Sequence, residues 1–205
     1  ILTNEERTRF VERFKQFLKQ KKYRKKLEEA ALEEKAFVVN FSDLDKFERN
    51  LGDLLLNNPE TFFEIYDEAV SEIEKLPTKV RLRVSNLPYT INIRNLRSKH
   101  IGKFIGTEGI VRKASEIRPE VVSKTWKCPV CDEEIIQERI GTNIFRPLEC
   151  PNCGNRKGFK EVGKEMIDTR WIVIEEPFEL TEGERPSQVT VFLKEDLVSP
   201  EGRII

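Results

Sequence analysis

Four cysteines are the residues of this sequence whose type and spacing indicate chemistry most directly. Cys128 and Cys131 form one pair with two residues between them, and Cys150 and Cys153 form a second pair after a spacer of eighteen residues. A two-residue gap lets both thiolates of a pair reach one ion, and two such pairs complete a tetrahedral sulfur site for zinc. Because four protein ligands leave no position for water, we expect a structural Zn2+ site and not a catalytic one.

Disulfide bonds are the alternative use of these cysteines. The first residues, Ile1 to Glu6, lack the basic and apolar parts of a signal peptide. No apolar run approaches the roughly 18 to 20 residues that a membrane span needs. Cysteine pairs in a chain without secretion signals favour a metal in a reducing compartment. We therefore expect a soluble, intracellular protein that is not secreted and has no membrane partner.

Charge is balanced over the chain but unevenly distributed. Lysine and arginine together number 36, as do aspartate and glutamate, whereas residues 79–127 carry 12 basic residues against 3 acidic ones. Such a basic band in an otherwise acidic region is typical of a protein with a polyanionic partner, and it favours nucleic acid. The separate cluster from Lys19 to Lys26 is interpreted as the solvated face of a helix.

The hydrophobic period predicts helices over residues 4–76. Thr3 and Glu6 have the spacing of a capping box, Ser42 is expected to cap a helix from Asp43, and Asn58-Pro59 is expected to begin another helix. The apolar residues that recur at helical spacing are expected to form the core of a small bundle. They include Phe10, Val11, Phe14, Phe17, Leu18, Phe62, Phe63, Tyr66, Ala69, Val70 and Ile73.

After Pro77 the hydrophobic period changes from 3.6 to 2. The alternation predicts strands, separated by Gly, Pro and Asn turns, at 79–84, 101–115, 121–127, 166–175 and 189–194. The predicted fold is α+β and multidomain, with an N-terminal helical bundle followed by an OB-fold β-barrel that carries an inserted four-cysteine zinc ribbon. The predicted division is a bundle at 1–78, a barrel at 79–127 and 164–205, and a ribbon at 128–163.

Several motifs together resemble the N-terminal region of the minichromosome maintenance (MCM) replicative DNA helicases, in their archaeal form. The stretch from Gly102 to Pro119, which runs into Trp126-Lys127-Cys128, carries the resemblance most clearly. It extends to Phe41-Ser42-Asp43-Leu44, to Ile174 through Pro186, and to Asp196-Leu197-Val198. In this order the pieces cover nearly the whole chain.

The resemblance implies a non-catalytic region that binds single-stranded DNA inside a homo-hexameric ring. A head-to-head double hexamer and duplex DNA are the alternative assembly and ligand. ATP and Mg2+ would bind only in a C-terminal ATPase beyond residue 205, where the family also has a last barrel strand. The implied location is cytoplasmic and nucleoid-associated.

The family's functional positions carry over to particular residues of this sequence. Lys113 and Arg118 match basic residues that grip single-stranded DNA in the archaeal members. Two further contact positions fall on Val173 and Ser187, and we expect nearby arginines to compensate for them. Glu176 matches the glutamate of the allosteric loop that couples the two rings, although the usual Gln-Glu pair appears here as Glu175-Glu176. The compensating arginines are Arg112, Arg170 and Arg185.

No catalytic constellation is evident in this sequence. Neither 106–113 nor 154–160 has the spacing of a phosphate loop, and His100, the only histidine, is expected to be structural. Phe104 and Trp126 are expected in cores and not as stacking platforms. Two alternatives remain open: a free-standing single-strand-binding protein with an OB-fold and a zinc ribbon, and a zinc-ribbon interaction protein of transcription or translation.

Overall fold

The structure is a computed structural model that describes residues 3–33, 35–73, 80–139, 143–181 and 183–198. The predicted helix end at Pro77 and the segment after 198 lie outside these residues. The chain forms two compact units, the first made of residues 1–110 and 175–189 and the second of residues 111–174 and 190–205. The three-part division predicted above stays a prediction.

Five α-helices lie in the described part of the first unit. The predicted capping box is confirmed, because the Thr3 hydroxyl accepts a hydrogen bond from the Glu6 amide and the Glu6 carboxylate accepts one from the Thr3 amide. The helices are α1 (Asn4–Leu18), α2 (Lys21–Leu32), α3 (Phe41–Phe47), α4 (Arg49–Asn57) and α5 (Pro59–Ser71).

The start of α3 differs from the prediction. Its N-cap is Asn40, whose side chain accepts a hydrogen bond from the Ser42 amide, so Ser42 is inside the helix and does not cap it. Asn has the short side-chain oxygen that an N-cap needs. The predicted start of α5 is confirmed, with Asn58 as N-cap and Pro59 in the first turn.

An aromatic core holds the helices together. Phe14, Phe17, Phe62 and Tyr66 are at most 1% exposed, as predicted for the bundle. Two short parallel strands, β1 (Phe37–Asn40) and β2 (Leu82–Ser85), pack against this core. The predicted strand at 79–84 is thus a partner of β1 within the first unit.

The second unit is built on a five-stranded sheet. Its order is β3-β6-β4-β5, and β7 pairs with β6 outside this path. Strands β4 and β6 are antiparallel, with the register broken near Val121 and near Thr125, which is consistent with the twist of an OB-like sheet. The strands are β3 (Ile110–Ala114), β4 (Arg118–Lys127), β5 (Glu134–Glu138), β6 (Lys160–Glu175) and β7 (Gln188–Lys194).

Two strand predictions need correction. The predicted strand at 101–115 is extended only from Ile110 to Ala114, because a 3-10 helix at Ser98–His100 and a turn precede it. Strand β5 was not predicted, and it pairs with β4 directly after the first cysteine pair.

Among the described residues, no helix is both long and apolar enough to cross a membrane.

Candidate metal centre and nucleic-acid interface

The structure brings the four cysteines together in one cluster. Their Sγ atoms all lie within 4.8 Å of one another. The Sγ atoms of Cys128 and Cys153 are 3.6 Å apart, as are those of Cys131 and Cys150. Four thiolates at about 2.3 Å from one zinc ion would lie about 3.8 Å from each other in a tetrahedron. The cluster therefore has the ligand type, number and spacing that a tetrahedral Zn2+ site requires.

Two similar turns position these thiols. In the first, the Asp132 amide donates to the Cys128 carbonyl, and in the second the Gly154 amide donates to the Cys150 carbonyl. The fourth residue after the first cysteine has a left-handed backbone in both turns, with φ of 59° at Asp132 and 70° at Gly154. Glycine adopts this conformation readily at position 154, whereas Asp132 adopts it without that freedom.

Burial, backbone donors and neighbouring thiols shift the pKa values of Cys128 and Cys131 in opposite directions. Burial raises the pKa of Cys128, but backbone amide donors at Val130 and Cys131 outweigh it and lower that pKa to about 6. The pKa of Cys131 is raised to about 12, because burial and the neighbouring thiols outweigh a backbone donor at Glu133. A bound dication would supply the positive charge that lets all four ionise.

A small apolar cluster supports the metal site. Cys128, Cys150 and Phe159 are buried together, and Trp126 and Ile135 pack against them. The prediction that Trp126 is a core residue is confirmed. Ile135 reaches the cluster because β5 pairs with β4, so the unpredicted strand forms one wall of the site.

Arg112 and Lys113 are adjacent exposed residues of β3. Successive side chains of a strand point to opposite faces of the sheet, so these two residues cannot serve one surface. Lys113 makes no ion pair with the described part of the chain. Its ammonium is therefore available to a phosphate.

Arg118 and Arg170 come together where β4 and β6 pair. Thr169 is the partner of Arg118, and the Arg118 side chain is 79% exposed, with Glu116 3.9 Å away. In contrast, Arg170 donates from Nε to the Ser115 carbonyl at 2.8 Å. A second donor of Arg170 reaches the carbonyl of Val198. Arg118 is thus accessible, while much of the Arg170 guanidinium is engaged by backbone.

Both arginines line a cleft in the second unit that contains residues not singled out from the sequence. Arg139 and Lys194 add two cations, and Trp171 adds an indole that is 41% exposed. Arg139 forms an ion pair with Glu120, another residue of the cleft. The alternation of polar and apolar residues in β7 could have identified Lys194 as a surface residue of the sheet. No sequence signal indicates that Arg139, which follows β5, lies in the same cleft.

Glu176 lies in the first unit and is 1% exposed. Its carboxylate accepts hydrogen bonds from the backbone amides of Arg94, at 2.7 Å, and Ser187, at 3.1 Å. Arg94 also pairs with Glu176 through Nε at 3.1 Å and with Glu184 through Nη1 at 3.0 Å. Arg94 therefore contacts the beginning of the segment from Glu176 to Ser187 and its interior at Glu184, while Glu176 itself bonds to Ser187 at the end. The segment also contains the exposed Arg185.

The environment of Glu176 favours its charged form. Burial by itself would raise the pKa of this carboxyl, but the two backbone donors and the Arg94 guanidinium outweigh it and lower the pKa below 4.5. The sequence indicated Glu176 through the family motif but gave no signal for Arg94, which lies 82 residues earlier. Glu176 is consequently an anchored residue and not part of a solvated turn.

Two further expectations concern His100 and Phe104. The His100 ring accepts a hydrogen bond at Nδ1 from the Arg97 amide at 3.0 Å, which is the expected structural role. The Phe104 ring lies edge-on to Phe63, with 6.0 Å between centroids, and packs against the helical core. Neither residue is placed as a ligand or stacking group.

Helices on an aromatic core, an OB-like sheet and a four-cysteine cluster that could hold a metal between its strands define a class of OB-containing proteins. Comparison with protein families narrows this class, because an MCM OB domain matches residues 92–200 and an MCM N-terminal domain matches residues 8–100. The chain belongs to the MCM family.

Individual relatives agree with this assignment. The chain is 30% identical over 206 residues to the minichromosome maintenance protein MCM of Saccharolobus solfataricus, covering 92% of this chain and 30% of that protein. It is 27% identical to the DNA replication licensing factor MCM4 of Drosophila melanogaster, covering 86% of this chain and 22% of that protein. The chain thus spans less than a third of these relatives.

A solved structure shares the fold. The N-terminal domain of an archaeal MCM matches with a TM-score of 0.76 over 93% of this chain and 82% of that chain, at 23% identity. The predicted OB-type sheet with preceding helices is confirmed by this likeness and by the matched OB domain.

Proposed function

We propose that this chain is the DNA-binding and ring-forming N-terminal region of a hexameric replicative helicase. It holds single-stranded DNA in the ring channel and transmits the state of the DNA to a C-terminal ATPase, which binds ATP and Mg2+. The observation that carries the proposal is the exposed pair Lys113 and Arg118 on consecutive strands of an MCM OB domain. The region itself has no catalytic role.

Lys113 and Arg118 are the central DNA contacts. Both are exposed, and no carboxylate of the described chain approaches either closer than the 3.9 Å between Arg118 and Glu116. Cations of this kind pair with phosphates and release counterions, so binding is tolerant of sequence and weakens as salt rises. Arg185 and the remaining donor of Arg170 are additional contacts, whereas Arg112, on the face of β3 opposite Lys113, would contact only DNA that passes that other face.

One Zn2+ ion on Cys128, Cys131, Cys150 and Cys153 fixes the ribbon between β4 and β6. The geometry fits zinc, since sulfur ligands in a tetrahedral arrangement select this ion among common divalent metals. The metal has a structural role, because four thiolates complete its coordination. The stabilised ribbon serves contacts between rings when two hexamers meet.

Glu176 anchors the loop that couples DNA binding to the ATPase. Buried contacts to Arg94 and Ser187 hold both ends of this segment in place, as a transmitting loop requires. The free-standing single-strand-binding protein and the transcription or translation factor are less well supported, because neither accounts for the MCM N-terminal domain that matches residues 8–100.

Binding of a fluorescent dT oligonucleotide tests the proposed contacts. The double variant Lys113→Glu and Arg118→Glu should bind at least tenfold more weakly at moderate salt, because two phosphate contacts become repulsive. The matched control is Lys157→Glu with Lys164→Glu, which changes charge equally at exposed positions of the same unit. Equal binding by wild type and the Lys113/Arg118 variant would show that these residues are not the DNA contacts.

A further inference from the structure

The turn after α1 and the N-terminal half of α2 together form a second cationic surface, in the first unit. Six basic residues lie within eight positions without an acidic residue among them. All six are exposed, whereas Tyr23 between them is buried. We name this surface the basic segment, and it consists of Lys19, Lys21, Lys22, Arg24, Lys25 and Lys26.

The basic segment opposes the electrostatics of its own helix. The N-terminus of a helix carries partial positive charge and favours acidic side chains. In α2 the first turn contains no acidic residue, the cap residue Gln20 makes no side-chain hydrogen bond, and Glu28 and Glu29 come later. Five cations thus stand at the unfavourable end of α2. A sequence that breaks a local rule without full structural compensation is a candidate for a functional surface.

Ion pairs compensate only half of the basic segment. Lys22 pairs with Asp43 at 2.5 Å, Arg24 with Glu28 at 3.0 Å and Lys25 with Glu29 at 3.6 Å. Lys19, Lys21 and Lys26 have no ion pair within the described parts of the chain. The basic residues Arg7 and Lys15 of α1, in contrast, each bridge to an acidic side chain of α5 or its C-terminal end.

The geometry points to the phosphate backbone of duplex DNA as the partner, and we propose that the basic segment is a second DNA contact, additional to Lys113 and Arg118. Duplex DNA presents about one negative charge per 1.7 Å of its axis, so a compact group of cations displaces many counterions. Protein interfaces instead depend on buried aromatic or apolar anchors, and Tyr23 and Leu27 are at most 2% exposed. The inference goes beyond the proposed function but rests on its assignment to DNA.

The test removes the three cations that have no ion pair among the described residues, in the 205-residue chain. Lys19→Gln, Lys21→Gln and Lys26→Gln are combined, and binding of a duplex of about 30 base pairs is measured by fluorescence anisotropy at several salt concentrations. We expect roughly tenfold weaker binding and a salt slope smaller by about 2 to 3, near 0.9 per lost phosphate contact. The thermal midpoint should not fall, because Lys21→Gln relieves repulsion at the helix end.

A matched triple variant controls for net charge. Arg9→Gln, Lys46→Gln and Arg49→Gln remove three cations that are scattered over α1, α3 and α4 of the same unit. This control should bind duplex as wild type does. Unchanged binding by the basic-segment variant, or an equal loss in the control, would overturn the inference.

The Lys113/Arg118 variant separates this inference from the proposed function. If the Lys113/Arg118 variant weakens dT binding and only the basic-segment variant weakens duplex binding, both the proposed function and this inference stand. If it abolishes all DNA binding and the basic-segment variant changes none, only the second contact is wrong. If only the basic-segment variant has an effect, the proposed sheet contacts are wrong and the inference stands.

Discussion

Removal of the metal should unfold the ribbon while leaving the helical unit folded. Among the described residues of the ribbon, three form its buried cluster, namely Cys128, Cys150 and Phe159. Burial of an apolar side chain contributes about 1.5 to 3 kcal/mol. Zinc binding in small metal-dependent domains contributes about 10 to 16 kcal/mol. The Sγ distances of 3.6 Å are within a few tenths of an ångström of a ZnS4 tetrahedron, so little of this energy is spent on rearrangement.

Tryptophan fluorescence can follow this loss locally. The chain has two tryptophans, of which Trp126 packs on the cysteine cluster and Trp171 is already 41% exposed. In a Trp171→Phe background, chelation under reducing conditions should release one Zn2+ per chain and shift the Trp126 emission to longer wavelength. Helical circular dichroism should be nearly unchanged, because the aromatic core of the first unit contains no metal ligand. A protein that contains no metal as purified, or that keeps its Trp126 emission after complete release, would refute the reasoning.

Three further predictions concern the first unit. Tyr66→Phe should cost about 1 to 3 kcal/mol in urea denaturation, since the buried hydroxyl donates to the Val80 carbonyl at 3.0 Å; a change below about 0.5 kcal/mol would contradict this. Phe14→Ala should cost about 3 to 5 kcal/mol by the same measurement, because the ring is 0% exposed among other aromatics; a loss typical of a surface site would show that the core is placed wrongly. The pKa of Glu176 is lower when folded than its ordinary 4.5, so its contribution to stability is present above pH 4.5 and is lost as the pH falls through the folded value. Glu176→Gln should therefore lower the thermal midpoint at pH 7 and reduce its dependence on pH below 4.5, and an unchanged acid profile would argue against the buried pair.

The sequence predicted the features that depend on local patterns. Helical spacing identified the buried Phe14 and Tyr66, and the capping box located the start of α1, because both depend on neighbours three or four residues apart. The cysteine spacing predicted which four residues come together in one cluster that could hold a metal ion. These local signals, together with the family motifs, were sufficient to predict the class of fold.

Long-range pairing could not be predicted in the same way. Strand β5 has no strong alternation of its own and forms because β4 offers it an edge. Arg94 acquires its role only when the chain returns 82 residues later with Glu176. The two cap residues of α3, Asn40 and Glu48, were also not predictable in this way. Several nearby polar residues could cap the helix, and tertiary contacts decide which of them does.

Light scattering during titration with a dT oligonucleotide tests the central claim most directly. The proposed ring predicts a particle of about six times the 24.0 kDa chain mass, which takes up DNA at substoichiometric amounts per chain. The Lys113/Arg118 variant should form the same particle but leave the oligonucleotide free. A particle that stays at the mass of one chain at high protein concentration, with and without DNA, would contradict the assignment of this region to a DNA-encircling ring.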